Sequence, residues 1–308
     1  MCKECGCDSG GGTKINGKSA EEVTSPLIGA TSEKADHSYP EQERDTDHDV
    51  PSSEPDHDHS HNHGEAIHDT HSTDYHHHNH SHQKPHNEEV VTIQLNKPIL
   101  EANDRVAERN RGYFLGKGIF AINMLSSPGS GKTTLIYETA KLLSSKLHIA
   151  VIVGDLATQN DAEYLRKASI PVVQINTGTA CHLDAEMVAR AMSQLAREVI
   201  DLLIIENVGN LVCPAMFDLG ENQRIVLLST TEGEDKPLKY PPLFHSANVA
   251  IITKIDLAQT VGFNRQLALE NLKKISHHAE IFELSARTGA GMDKWCQYLL
   301  EQVKKLKP

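Results

Sequence analysis

From residue 118 onward the chain alternates short, almost wholly apolar runs with longer stretches whose apolar positions recur at helical spacing. The apolar runs are 118–126, 148–154, 170–176, 199–206, 225–230, 249–253 and 279–285, and each is five to nine residues long. Runs of that length without a polar face predict strands of a parallel sheet covered on both sides. Residues 132–145, 184–197, 264–275 and 291–305 carry the helical period, and a further helix is predicted over 98–111 ahead of the first strand. Strand and helix in regular alternation define an α/β class, a doubly wound, mostly parallel sheet, within one domain spanning 96–308.

Residues 1–95 have no such pattern. Fourteen of the nineteen histidines lie between His37 and His86, and residues 68–82 alone hold seven in fifteen positions. Residues 1–90 contain six Lys/Arg against nineteen Asp/Glu, a balance of −13 in a chain of net charge −12, so the remainder is nearly neutral. A neutral domain lacks the basic footprint of a nucleic-acid binder. So few apolar residues cannot offset roughly 1 to 2 kcal/mol of backbone entropy per residue, and the tail is expected to be disordered. Neutral imidazole is the metal-binding form, and with an ordinary pKa of about 6.5 most of these side chains are ligand-ready near neutral pH. No run approaches the roughly 20 apolar residues of a membrane span, and the N-terminus lacks a signal-peptide core, so a cytoplasmic protein with no membrane contact is expected.

Chemistry concentrates where predicted strands end. S-S-P-G-S-G-K-T-T, 126–134, follows the first strand and opens a helix. Gly129 and Gly131 let the backbone curl so that amides, with those of Ser130 and Thr134, point at phosphates. Lys132 reaches the β and γ phosphates, and the Thr133 hydroxyl is placed for Mg²⁺. The usual motif begins with Gly, where this chain has Ser126. The strand at 199–206 ends in Glu206, followed by Gly209, the positions expected for a metal-facing acid and a γ-phosphate-sensing glycine. T-K-I-D ends another strand: Asp256 suits the N1 and N2 protons of guanine, and the stem of Lys254 lies along the base. S-A-R-T-G supplies Ser285 and brings the Ala286 amide to the guanine O6. Together the three strand ends favour GTP over ATP.

Two sets of soft ligands stand out. M-C-K-E-C-G-C places Cys2, Cys5 and Cys7 within six residues; if Met1 is removed, the Cys2 amine joins the three sulfurs in a square-planar set that suits Ni²⁺ or Cu²⁺ better than tetrahedral Zn²⁺. Adjacent Cys181 and His182, with Cys213 seven residues after Glu206, form a second set on loops leaving strand ends. Three ligands leave a tetrahedral position vacant, which fits transfer better than a closed structural Zn²⁺ site. Cys296, within an amphipathic helix, is expected to be an ordinary buried thiol.

In this order, the cysteine-rich terminus, histidine tail, G-x-G-K-T-T, G-T-A-C-H-L, E-N-V-G-N-L-V-C-P, T-K-I-D and S-A-R-T-G resemble the hydrogenase nickel-incorporation GTPases of the HypB type over residues 96–308. The resemblance implies a P-loop GTPase of the SIMIBI class that forms a homodimer with nucleotide or metal. It implies delivery of Ni²⁺ to the [NiFe]-hydrogenase large-subunit precursor together with a nickel- and zinc-binding partner of the HypA type. Cys2, Cys5 and Cys7 would then be the tight nickel site, and Cys181, His182 and Cys213 the nucleotide-linked one. Asp155 matches the switch acid near Mg²⁺, Lys132, Asp155 and Glu206 form the catalytic set, and Lys236 and Lys239 match a loop reaching the nucleotide region. Urease-type nickel GTPases normally carry Cys-Pro-His where this chain has Cys213-Pro214-Ala215. Two further alternatives are a nickel or zinc storage protein whose GTPase domain only regulates it, and a zinc chaperone, whose usual C-x-C-C motif is missing.

Overall fold

The computed structural model describes residues 14–15, 18–19, 97–156 and 160–306. Cys2, Cys5, Cys7, the histidine segment 37–86 and the expected domain boundary near residue 95 lie outside the described residues.

Seven parallel strands build the sheet: β3 (Phe120–Leu125), β4 (Ile149–Asp155), β5 (Val172–Asn176), β6 (Leu202–Glu206), β7 (Gln223–Ser229), β8 (Val249–Thr253) and β9 (Glu280–Glu283). Their spatial order is β5-β4-β6-β3-β7-β8-β9, every neighbouring pair parallel. Each falls inside a run marked by the apolar pattern or, for β4 and β7, overhangs it by one or two residues. Side chains alternate across β3: Phe120, Ile122 and Met124 join the cluster under one layer of helices, while Ala121 and Leu125 join clusters on the other face. The sheet is thus apolar on both sides, which is why its strands read as unbroken runs.

Helix α1 (Lys97–Lys117) and α4 (Ala185–Gln194) cover one face; α2 (Lys132–Leu143) and α8 (Met292–Leu306) cover the other. Trp295 of α8 is buried against the sheet and donates its indole N–H to Thr139 Oγ1 of α2 at 3.1 Å. A short α3 (Asn160–Arg166), two proline-led turns α5 (Lys236–Lys239) and α6 (Pro241–His245), and α7 (Arg265–Ile275) complete the described helices. Among the described residues no helix is long and apolar enough to cross a membrane.

Two short strands, β1 (Lys14–Ile15) and β2 (Lys18–Ser19), depart from the expectation that all of residues 1–95 lacks structure. β1 pairs antiparallel with β5, Lys14 opposite Asn176, and β2 pairs with β1. β5 would otherwise end the sheet with a row of unpaired backbone groups, and an added strand satisfies them.

From β3 the chain winds outward through β4 and β5, returns to insert β6 beside β3, then continues to the other side through β7, β8 and β9. The reversal of winding beside β3 opens a crevice at the carboxyl ends of the strands, where such sheets hold ligands.

Candidate functional site

The loop from Ser126 to Thr133 fills that crevice. Gly129 (φ 73°) and Gly131 (φ 97°) take left-handed conformations, so the chain turns tightly enough to begin α2 at Lys132. The Lys132 ammonium donates to Ser126 Oγ at 2.8 Å, and Ser126 Oγ also bonds the Ser130 hydroxyl. Thr133 donates its hydroxyl to Glu206 Oε1 at 2.7 Å. Burial pushes the Glu206 carboxyl up to about 7, against the opposing pull of Lys132 and the Thr133 hydrogen bond. Burial likewise lowers Lys132, with Glu206 the strongest opposing charge. Glu206 Oε2 is buried with no hydrogen-bond partner. A hydroxyl and an under-satisfied carboxylate are hard oxygen donors, the set that Mg²⁺ takes beside nucleotide phosphates.

A cavity of about 510 Å³ surrounds this cluster, lined by residues 128–134, Asp155, Asp161, Glu206–Gly209 and Lys254. Gly209 approaches the loop so closely that a Cβ there would lie 2.9 Å from Pro128 Cα, so only glycine fits. A second cavity of about 430 Å³ contains Asp256, Ser285 and Ala286, and it shares Ser130, Gly131, Thr134 and Lys254 with the first. The two form one continuous channel along the strand ends. Lys254, itself at φ 57°, donates to Gly129 O at 2.6 Å, and Thr253 donates to Ser130 O at 2.8 Å, tying the base-side strand to the phosphate loop.

Cys181, His182 and Cys213 bring one ligand atom each to within 4.8 Å of one another, the one such group of three among the described residues. His182 is 7% exposed and stacks on Phe217 at 3.8 Å between ring centroids. Burial lowers its imidazole to about 4, so it is neutral, the ligand form, at any ordinary pH. Two thiols and a neutral imidazole suit Ni²⁺ or Zn²⁺. Cys296 is buried in α8, and burial pushes its thiol up to about 11, in keeping with an ordinary core residue.

Sequence-predicted residues therefore gather in two places: the phosphate and base ligands in the channel, the three soft ligands beside it. Lys236 and Lys239 line neither cavity. Lys239 pairs with Asp235 at 2.6 Å and Lys236 lies over the Tyr240 ring. Other residues escaped the sequence reading. Tyr164, Glu138 and Arg287 line the base cavity. Buried Asn103 and Asn110 of α1 bind both metal-ligand loops: Asn103 accepts from Ala185 N and donates to Asp218 O, and Asn110 donates to Ala185 O and Leu219 O. Their seven-residue spacing, with Ala107 between, was the available signal, since it puts both amides on the apolar face of a helix.

The fold and channel define a nucleotide-binding protein of the P-loop GTPase class. Residues 120–283 match the model of the CobW/HypB/UreG nucleotide-binding domain family. The hydrogenase maturation factor HypB of Rhizobium leguminosarum bv. viciae is 49% identical over 207 residues, covering 67% of this chain and 69% of that protein. A probable hydrogenase maturation factor HypB of Methanocaldococcus jannaschii is 43% identical over 71% of this chain and 99% of its own length. The crystal structure of HypB from Helicobacter pylori in complex with nickel superposes with a TM-score of 0.64 at 40% identity, covering 66% of this chain and 96% of that one. The chain belongs to the HypB family of hydrogenase maturation factors.

Proposed function

We propose that the protein is a GTP-hydrolysing nickel metallochaperone that stores Ni²⁺ and inserts it into the [NiFe]-hydrogenase large-subunit precursor. In this reading it acts in the cytoplasm, as a homodimer assembled with nucleotide or metal, and with a HypA-type partner. The observation that carries the reading is the position of the Cys181/His182/Cys213 cluster, whose Cys213 lies on the segment leaving Glu206 and Gly209 of the phosphate site.

Lys132 compensates charge on the β and γ phosphates as the bond breaks, while the Gly129–Thr134 amides orient them. Thr133 and Glu206, with Asp155 nearby, are the residues that would hold Mg²⁺, whose chemistry is to neutralise the phosphate oxygens. Asp256, with Ser285 and Ala286 beside it, reads guanine. Nickel is the cargo: the tail, with Cys2, Cys5 and Cys7, binds it tightly or stores it, and the internal cluster passes it on. Zn²⁺ competes for the same soft donors. Loss of the γ phosphate reorders the segment after Glu206 and shifts Cys213 against Cys181 and His182.

The test is a nickel titration of the full chain carrying serine at Cys2, Cys5 and Cys7, read by thiolate-to-nickel charge-transfer absorption, once with GDP and once with a non-hydrolysable GTP analogue. Affinities differing by about 5- to 150-fold are expected of an ordinary coupled pair. Equal affinities would overturn the coupling.

A further inference from the structure

One residue bears on both halves of the site. Leu183 directly follows His182, and its amide donates to the Asn207 side-chain oxygen at 3.1 Å. Asn207 is the residue after Glu206. The Leu183 side chain, fully buried, covers Gly154 so closely that a Cβ built there would meet Leu183 Cγ at 2.7 Å. Gly154 precedes Asp155. The neighbours of both acids at the phosphate site therefore press on the neighbour of a soft ligand.

Asn207 has one well-defined orientation. Its backbone amide donates to Met124 O at 3.1 Å, its side-chain N–H to Asn123 Oδ1 at 3.3 Å, and its side-chain oxygen also accepts from Val208 N at 2.9 Å. Asn123 and Asn207 are both buried, where an unmade hydrogen bond is costly. On the far side, Ala185 is fixed to α1 through Asn103 and Asn110. The stretch from Cys181 to Ala185 is thus anchored at one end by a helix that does not line the nucleotide channel, and is touched in its middle by residues that do. A displacement of Asn207 or Gly154 reaches Leu183 and, with Ala185 fixed, swings Cys181 and His182 relative to Cys213. Shifts of a few tenths of an ångström matter, because metal–ligand distances fall at about 2.0 to 2.3 Å.

We infer that Asn207 and Leu183 form the joint through which the nucleotide state sets the geometry of the Cys181/His182/Cys213 cluster, Asn207 acting as a positioning residue. This rests on the coupled-chaperone reading above. The carrying feature is the double contact on Leu183, by hydrogen bond from one acid-bearing strand end and by packing from the other.

Leu183→Ala removes the packing contact and Asn207→Ser shortens the hydrogen-bonding arm; Leu183→Met restores bulk. Each is made in the full chain with serine at Cys2, Cys5 and Cys7, and nickel affinity is read by thiolate-to-nickel absorption with GDP and with the GTP analogue. In Leu183→Ala and Asn207→Ser the ratio of the two affinities should collapse to within about threefold, while in Leu183→Ala, which lies outside the channel lining, nickel binding without nucleotide and GDP binding without nickel each change by less than about threefold. Leu183→Met should regain the wild-type ratio. A merely structural role would weaken both ligands alike and leave their ratio unchanged, and that outcome overturns the joint. If one variant fails to fold, the other decides. A wild-type ratio of one removes the coupling reading and the joint with it, whereas a wild-type ratio retained in folded variants removes the joint alone.

Discussion

Lys132 sits almost wholly inside the protein, with its ammonium on Ser126 Oγ, and among the described residues Lys254 is the other lysine lining the phosphate cavity. Lys254 is committed to the Gly129 carbonyl. Lys132→Ala should therefore abolish GTP turnover and most nucleotide affinity, measured by phosphate release and by GDP titration; turnover at the wild-type rate would refute the assigned role. Asp256→Asn exchanges a guanine acceptor for a partial donor, so GTP should lose its advantage over ATP in competition binding. His182 adds a pH signature to the metal-free protein. Its imidazole is held near 4 when folded against about 6.5 when unfolded, so the unfolded chain takes up a proton that the folded one refuses. This penalty is absent above pH 6.5 and grows as pH falls toward 4, reaching about 2 kcal/mol near pH 5. Urea unfolding at pH 7 and pH 5 should show a smaller loss for His182→Gln than for wild type. Lys132, Thr133, Glu206 and Cys181 were legible in the sequence because phosphate and metal demand particular donor atoms at fixed spacing. Asn103, Asn110 and Asn207 were not, because these asparagines declare their role through partners 24 to 115 positions away.

At the scale of elements, α1 behaves as a strap across the segments that follow the Cys181/His182 pair and Cys213. Gly220 shows how tight the fit is: it adopts φ 88°, and a Cβ there would lie 2.5 Å from Ala107 O. Gly112 of the same helix has nothing within 4 Å of such a Cβ. Gly220→Ala should thus lower the melting temperature sharply. Gly112→Ala should raise stability by up to about 1 kcal/mol, the ordinary gain of alanine over glycine inside a helix. Equal effects in thermal unfolding would contradict the strap. The apolar pattern located β3 to β9 because each is buried on both faces, and it located α2, α4, α7 and α8 because each buries one. It stopped α1 at Arg111, although the helix continues to Lys117 and buries Phe114. It missed β1 and β2, two residues each, whose placement comes from a vacant sheet edge and not from any apolar content, although Asn16-Gly17 is a recognised hairpin-turn pair.

For the molecule as a whole, a tail so different in composition from the domain should be separable from its chemistry. Deleting residues 36–86 should remove most of the nickel bound per chain and leave GTP turnover near its wild-type value, as checked by metal content and phosphate release. Loss of turnover would make the tail part of the catalytic unit. The pairing of β1 with β5 also sets which end of the sheet Lys14 occupies. Because β1 runs antiparallel with Lys14 opposite Asn176, Lys14 stands at the carboxyl end of β5, the end from which the Cys181 loop also departs. Cys7 stands seven positions before Lys14 in the sequence, so a fully extended chain could span at most about 25 Å between them.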